Sequence, residues 1–296
     1  MTTNLNSRSR RAFVLRGACA LALALPQARP FAQSGMPARI DEMEARLGGR
    51  IGVAAVDTNS GARLAHRGDE RFAMCSTFKW MLAAAVLARS DRRSGILERH
   101  LFFGPKDLLA HSPVTAQHAA EGSLPVVELC KAAVETSDNT AANALLKFIG
   151  GPAALTHYLR SIGDRTTRLD RVELSLNSNI PGDPRDTTTP NAMIATMQTI
   201  LIGNALTAAS REMLLTWLKN CQTGLQRLRA GLPPAWTAGD KTGTGERGAA
   251  NDDAIIWPPG RPPILIAAYL SDSRASPAAL DAAHARIGAL VADAFS

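Results

Sequence analysis

The chain has 296 residues, 46% hydrophobic and 20% charged, enough for a well-buried core and ordinary for a globular protein. Its formal charge of +7 invites a nucleic-acid reading, but residues 1–34 hold Arg8, Arg10, Arg11, Arg16 and Arg29 and no acids, and taking those five from +7 leaves +2. The remainder has no Lys/Arg stripe that would follow a phosphate backbone, so a nucleic-acid partner is not expected.

In chain order, the arginines open a leader. Arg10-Arg11-Ala12-Phe13-Val14-Leu15 precedes an apolar stretch from Ala18 to Leu25 and small residues near Ala28 to Ser34. A charged n-region and a brief h-region describe an export signal over residues 1–34, too short to span a bilayer. The arginine pair resembles a twin-arginine signal, with an ordinary Sec signal as the alternative. No later segment is apolar enough to span a membrane, so the mature protein is expected to be soluble and periplasmic or secreted. Residues 37–48 follow as a helix pattern ended by Gly48-Gly49. Ile51–Val56 and Ala62–His66 read as strands about a turn at 57–61. Helical patterns dominate from Ser76 to about Asn220, punctuated by Gly150-Gly151-Pro152 and Thr189-Pro190. Between Gly163 and Thr189 lies an aperiodic stretch rich in Arg, Asp, Asn and Pro; loops of that length are usually functional or disordered. Arg171 and Asp186 are candidates to pin its ends. Ala235–Thr242, Asp252–Trp257 and Pro263–Leu270 read as strands, and a last helix covers about 276–295. Strands at both ends with helices between predict an α+β fold, one antiparallel sheet built from both termini with an all-α domain inserted. Residues 35–71 and 219–296 would form the α/β domain, and 72–218 the helical domain.

The chemistry begins at Ser76 and Lys79, three apart at the start of the apolar run 81–88. On a helix both side chains share one face. A Ser hydroxyl is a poor nucleophile without a nearby base and a site for the developing oxyanion. The helix N-terminus supplies unpaired N–H groups and a positive dipole end, and a buried ammonium loses its proton more readily than a solvated one. By itself the pair also fits a capping Ser and a solvated Lys. Ser137-Asp138-Asn139 ahead of a helix equally fits N-caps. Lys241-Thr242-Gly243-Thr244-Gly245 stands at a strand end, where the glycines admit close approach to the backbone. The match of 243–248 to GxGxxG is rejected, because a strand rather than a helix follows.

S-x-x-K, S-D-N and K-T-G in that order are the signature of class A β-lactamases and penicillin-binding proteins. With Glu173-Leu174-Ser175-Leu176-Asn177, which resembles the core of the class A Ω-loop (about 168–186), the chain resembles the class A serine β-lactamases over most of its mature length. The resemblance implies hydrolysis of penicillins and cephalosporins through a Ser76 acyl-enzyme, giving antibiotic resistance. Lys79 or Glu173 would be the base for acylation, and Glu173 with Asn177 would hold and activate the deacylating water. Ser137 would pass a proton to the leaving nitrogen, and the backbone N–H groups of Ser76 and Thr244 would form the oxyanion hole. Lys241 and Thr242 would bind the substrate carboxylate with Arg227 near it, Gly243 and Thr244 would also belong to the substrate-binding set, Asn139 would donate to the substrate's side-chain amide, and His111 would face the binding cleft. His111 stands where the family usually has an aromatic residue. Val172 and Leu174 stand where Trp and Pro are common, and the family often has a cis peptide before the latter; such a bond costs about 3 kcal/mol before a non-proline residue. Family disulfides are not expected, since Ala83 and Gly245 occupy the partner positions, so Cys75, Cys130 and Cys221 should be free, buried thiols. No cofactor and no metal is implied, and the six His residues form no ligand-spaced cluster. The protein is expected to act as a monomer on small molecules. The rivals are a D-alanyl-D-alanine peptidase and a β-lactam sensor that stays acylated; Glu173 with Asn177 weighs against the first, and the lack of a visible tether against the second.

Overall fold

Long alternating or continuously apolar runs at both ends of the chain find one another in a five-stranded antiparallel sheet. A computed structural model describes residues 35–296; the expected leader, Cys19 included, lies outside them. Helix α1 (Met36–Leu47) leads into β1 (Arg50–Asp57) and β2 (Arg63–His66). The short strand β3 (Phe72–Ala73) and a 3₁₀ turn (Cys75–Thr77) then open α2 (Phe78–Ser90). Strands β4 (His100–Phe102) and β5 (Ser123–Pro125) precede α3 (Val126–Glu135), α4 (Asn139–Ile149) and α5 (Pro152–Ser161). After the long loop come β6 (Thr187–Thr188), α6 (Pro190–Met197), which runs on into a π-helical turn (Gln198–Ile202), and α7 (Ala208–Lys219). Strands β7 (Thr237–Thr244), β8 (Ala250–Trp257) and β9 (Ile264–Ser271) and helix α8 (Pro277–Phe295) complete the chain.

The sheet order β2-β1-β9-β8-β7 places the first two strands beside the last three. Its centre is covered on both faces, which is why β8 and β9 are buried almost throughout instead of alternately. On one face Ile40 and Met43 of α1 pack with Leu280, Ile287 and Val291 of α8 against Val53, Ala254 and Ile266. On the other face the sheet meets the helices. There α2 is buried from Phe78 to Ala88, as befits a helix apolar all round. Around it α3, α4, α6 and α7 contribute Leu129, Leu145, Met193 and Leu214 to the larger core. Helix starts follow their side chains. Asp138, Thr189 and Ser276 each accept a bond from the backbone N–H three residues on, at 2.8, 3.2 and 3.3 Å.

Two short ladders were not expected within the helical region. Leu101 pairs with Leu124, and Phe72 and Ala73 pair with Thr188 and Thr187. The second ladder fastens the end of the long loop to the chain just ahead of Ser76. Strand β7 also lies two residues later than its sequence pattern suggests, so that Lys241 to Thr244 are all within the ladder to β8. Among the described residues no helix is long and apolar enough to cross a membrane. Cys75, Cys130 and Cys221 are free and buried, as expected.

Candidate active site

Five chain segments meet around Ser76, strand β7 being the fifth. The first is its own 3₁₀ turn, reached through Cys75 at φ 47°, a left-handed conformation uncommon for a residue with a side chain. Asn251 of β8 holds that turn, its Nδ2 donating to the carbonyls of Ala73 and Met74, both at 2.9 Å. Strand β7 approaches so closely that a Cβ at Gly243 would lie 2.5 Å from the Met74 carbonyl. Only glycine fits there.

The second segment is the start of α2. Lys79 is fully buried, and its Nζ donates to the Ser137 carbonyl at 2.8 Å and to Asn139 Oδ1 at 2.5 Å, with Ser137 Oγ at 3.3 Å. Burial drives its pKa below the ordinary lysine range, opposed by the charge and hydrogen bond of Glu173. Burial likewise pushes the neighbouring Cys75 thiol up to about 12, so that it remains protonated beside the reactive centre.

The third segment carries Ser137, Asp138 and Asn139. Ser137 sits at φ 60°, which lets its carbonyl and its hydroxyl face the two lysines; Lys241 Nζ donates to Ser137 Oγ at 3.0 Å. Asp138, beyond capping α4, accepts from the backbone N–H of Val114 and Thr115 at 3.0 and 2.9 Å, clamping the His111 loop. Asn139 donates to the Ala110 carbonyl at 2.7 Å, and its backbone N–H to the His111 carbonyl at 3.1 Å. His111 itself is exposed, at φ 56°, its Nε2 3.0 Å from the Thr136 carbonyl.

The fourth segment is the long loop. Asp186, fully buried, accepts from the backbone N–H groups of Asp170 and Arg171 at 2.7 and 2.9 Å and from Arg171 Nε at 2.5 Å. The expected pin is therefore a buried one, where pairing counts for more than at a surface. The Glu173–Leu174 peptide is cis. Glu173 Oε1 accepts from Ser76 Oγ at 3.0 Å and lies 2.9 Å from Lys79 Nζ. Its Oε2 accepts from Asn177 Nδ2 at 2.7 Å. A residue that the sequence reading missed brackets it. Asn143 of α4 accepts from the Glu173 N–H at 3.0 Å and donates to the Glu173 carbonyl at 2.8 Å. Asn143 lies four residues beyond Asn139, hence on the same helix face, and that spacing was the available signal.

Thr242, Gly243 and Thr244 lie on β7. Burial draws the Lys241 ammonium down to about 8. Arg227 is 9% exposed, so it is not a surface arginine. Its guanidinium donates to the carbonyls of Gly243 and Asn251 at 2.9 and 2.7 Å, to Thr244 Oγ1 at 2.8 Å and to Asp281 at 2.8 Å. It lies under β7 and reaches the cleft through the Thr244 hydroxyl. All the residues expected from the sequence thus belong to one connected region, with His111 and Arg227 at its margins.

Comparison with known proteins agrees with this geometry. The model of the beta-lactamase enzyme family matches residues 36–295. The carbapenem-hydrolyzing beta-lactamase KPC of Klebsiella oxytoca is 49% identical over 256 residues, spanning 86% of this chain and 84% of its own. Beta-lactamase CTX-M-8 of Citrobacter amalonaticus is 44% identical over 265 residues, 89% of this chain and 90% of its own. The solved structure of an ancestral class A beta-lactamase superposes with a TM-score of 0.86 at 56% identity, covering 88% of this chain and 100% of that one. A beta-lactamase from Desulfarculus baarsii DSM 2075 gives 0.86 at 49% identity, over 89% and 98%. With Ser76 and buried Lys79 both against the loop carboxylate of Glu173, with buried Lys241 joined to Lys79 through Ser137, and with relatives of this identity over nearly the whole described chain, the protein belongs to the beta-lactamase enzyme family as a class A serine β-lactamase.

Proposed function

We propose that this β-lactamase hydrolyses its substrates through an acyl-enzyme on Ser76, released by water that Glu173 activates. The observation that carries the reading is the position of Glu173 Oε1, 3.0 Å from Ser76 Oγ and 2.9 Å from Lys79 Nζ. One carboxylate oxygen thereby touches both the nucleophile and the second candidate base. In acylation, Ser76 Oγ forms a bond to the β-lactam carbonyl carbon and gives its proton to Glu173 or, through the same contact, to Lys79. The oxyanion is held by the N–H groups of Ser76 and Thr244, donors of a kind worth about 3–4 kcal/mol each. The ring C–N bond then breaks, and the nitrogen takes a proton from Ser137, which Lys241 and Lys79 can replenish through their bonds to it. In deacylation, Glu173 removes a proton from water, the hydroxide attacks the ester carbonyl, and Ser76 leaves with a proton. Asn177 suits the same step, because its Oδ1 is buried without a protein partner and can accept from that water.

Lys241, Thr242, Gly243 and Thr244 present charge and hydroxyls to the carboxylate that β-lactams carry beside the ring. Arg227 adds positive potential and orients the Thr244 hydroxyl, whose oxygen is occupied by the guanidinium and whose proton is therefore free for substrate. Asn139 and His111 border the acyl side chain. The division into an α/β lobe (35–71 and 219–296) and a helical lobe (72–218) puts this cleft between β7 and α4.

The decisive experiment is Glu173→Ala mixed with a penicillin. Intact-protein mass spectrometry should show one added substrate mass, mapped to Ser76, where wild type stays almost unmodified; general-base contributions of about 10²–10⁴-fold are enough for that. Rapid turnover without adduct sinks the Glu173 assignment, and an adduct elsewhere removes Ser76. The leader further supports export to the periplasm or medium. Replacing Arg10 and Arg11 by Lys should abolish export; undiminished periplasmic enzyme leaves only the Sec route.

A further inference from the structure

We infer that Asn179 is a positioning residue that sets the spacing between the two walls of the cleft, the Glu173 arm and the Thr244 end of β7. The inference rests on the deacylation role given to Glu173 above. Six residues beyond Glu173, the Asn179 side chain is buried and leaves its own loop altogether. Its Nδ2 faces the carbonyls of Glu246 and Arg247, each at 3.3 Å, and Ser271 Oγ at 3.1 Å. Ser271 Oγ in turn lies 3.2 Å from Asn179 Oδ1. One amide thus joins the loop to the β7–β8 turn and to the end of β9.

Two further contacts make the joint specific. The backbone N–H of Glu246 donates to the Asn177 carbonyl at 2.8 Å, so the residue that holds Glu173 Oε2 is itself held by the turn two residues after Thr244. Gly245 makes that approach possible, since a Cβ there would stand 2.7 Å from the Asn177 carbonyl and 2.6 Å from Cys75 Sγ. The turn is also tied behind, where the Asp272 N–H donates to the Arg247 carbonyl at 2.8 Å. The chain runs at φ 43° through Asn179, a left-handed conformation that Asn tolerates better than most residues with a side chain. Side chain and backbone therefore both fit this position to asparagine.

The consequence differs between the two half-reactions. Acylation also uses the Thr244 N–H, but it has Lys79 beside Glu173 as a base, and its nucleophile and proton donor, Ser76 and Ser137, are fixed just ahead of α2 and α4 and not on the loop. Deacylation needs the loop carboxylate aligned with an ester carbonyl whose oxygen lies at the Thr244 end of β7, and this is the alignment that Asn179 holds. Loosening it should slow release more than formation of the acyl-enzyme.

Asn179→Gly removes the amide and keeps the left-handed backbone at ease. Asn179→Asp keeps the shape but turns an acceptor toward two carbonyls. In both, deacylation is expected to fall roughly tenfold, the scale of one or two lost hydrogen bonds, with the single-turnover acylation rate within about twofold of wild type. A lower KM, and a visible fraction of Ser76 adduct at steady state, should accompany the lower kcat. Ser271→Ala, which spares the two carbonyl contacts, should show the same split more weakly, and it decides the matter if neither Asn179 variant folds. A general loss of structural integrity would lower acylation and deacylation together, and that outcome, or unchanged kcat in the folded variants, overturns the proposal. Glu173→Ala run in parallel separates the two claims. Adduct there but none in the Asn179 or Ser271 variants defeats the positioning role alone, whereas none in Glu173→Ala defeats the reading beneath it.

Discussion

Asn143→Ala tests whether α4 holds the loop carboxylate in place. Asn143 makes two bonds to one residue, accepting from the Glu173 N–H at 3.0 Å and donating to its carbonyl at 2.8 Å. Glu173 is 4% exposed, so water reaches its backbone poorly once the partner is gone. An orphaned buried N–H costs about 1–3 kcal/mol and the lost bond to the carbonyl about 0.5–1.5 kcal/mol, together roughly 3 kcal/mol. At about 2–4 °C per kcal/mol for a domain of this size, the Tm should drop by about 6–12 °C. If the loop detaches locally before the rest unfolds, part of that loss appears as slower deacylation instead, with Ser76 acylated at steady state. Thermal melts followed by circular dichroism, paired with intact mass during penicillin turnover, read both channels. A Tm within about 2 °C of wild type together with unchanged turnover would refute the reasoning, because two bonds of this geometry would then contribute to neither.

Two further outcomes are expected. Arg227→Ala should lower kcat/KM for a cephalosporin and also lower the Tm, since it removes bonds from a charged donor worth about 1.5–3 kcal/mol each; a surface arginine would change neither. Lys241, with its pKa drawn down to about 8 from 10.5, should lose its charge and its hold on carboxylate substrates as pH rises through 8, so kcat/KM declines there. Between about 8 and 10.5 the unfolded chain keeps a proton that the folded one has released, so this group makes stability rise with pH in that window. Lys241→Arg should remove the alkaline limb of the rate profile, and a limb that persists assigns it to another group.

The proposed catalytic residues could be nominated because each belongs to a run read locally, S-x-x-K, S-D-N, the loop carboxylate and K-T-G, and because the runs keep a fixed order. The helix edges were legible for a similar reason, since Gly150-Gly151-Pro152 and Thr189-Pro190 impose backbone geometry on their own neighbours. What escaped were Asn143, Asn179 and Asn251, whose backbone partners include ones 30, 67 and 178 positions away. A single amide bonding to backbone leaves no periodicity, and its partner carbonyls have no residue identity to read. The ladders β3–β6 and β4–β5 escaped because two or three paired residues are too few to alternate. Arg227 was ambiguous for another reason. Gln226-Arg227-Leu228-Arg229 reads as exposed, and only the docking of that turn beneath β7 buries its first guanidinium.

Helix α2 follows directly on the turn that carries Ser76, the proposed nucleophile, and is deeply enclosed in the larger core, with no exposed residue between Phe78 and Ala88. Emptying a methyl-rich site such as Leu82 would cost about 2–5 kcal/mol, a large share of a typical domain's whole stability. Selection for new antibiotics therefore has little room to adjust the reacting groups through the helix that bears them. The rim is different. Val172 and Leu174 are 41% and 44% exposed on the loop, and His111 is exposed across the cleft, so exchanging their side chains removes little buried packing. Drug pressure on this enzyme should accordingly leave its record at residues 111, 172 and 174 while the interior of α2 stays fixed, separating the capacity to adapt from the capacity to react along one short stretch of surface.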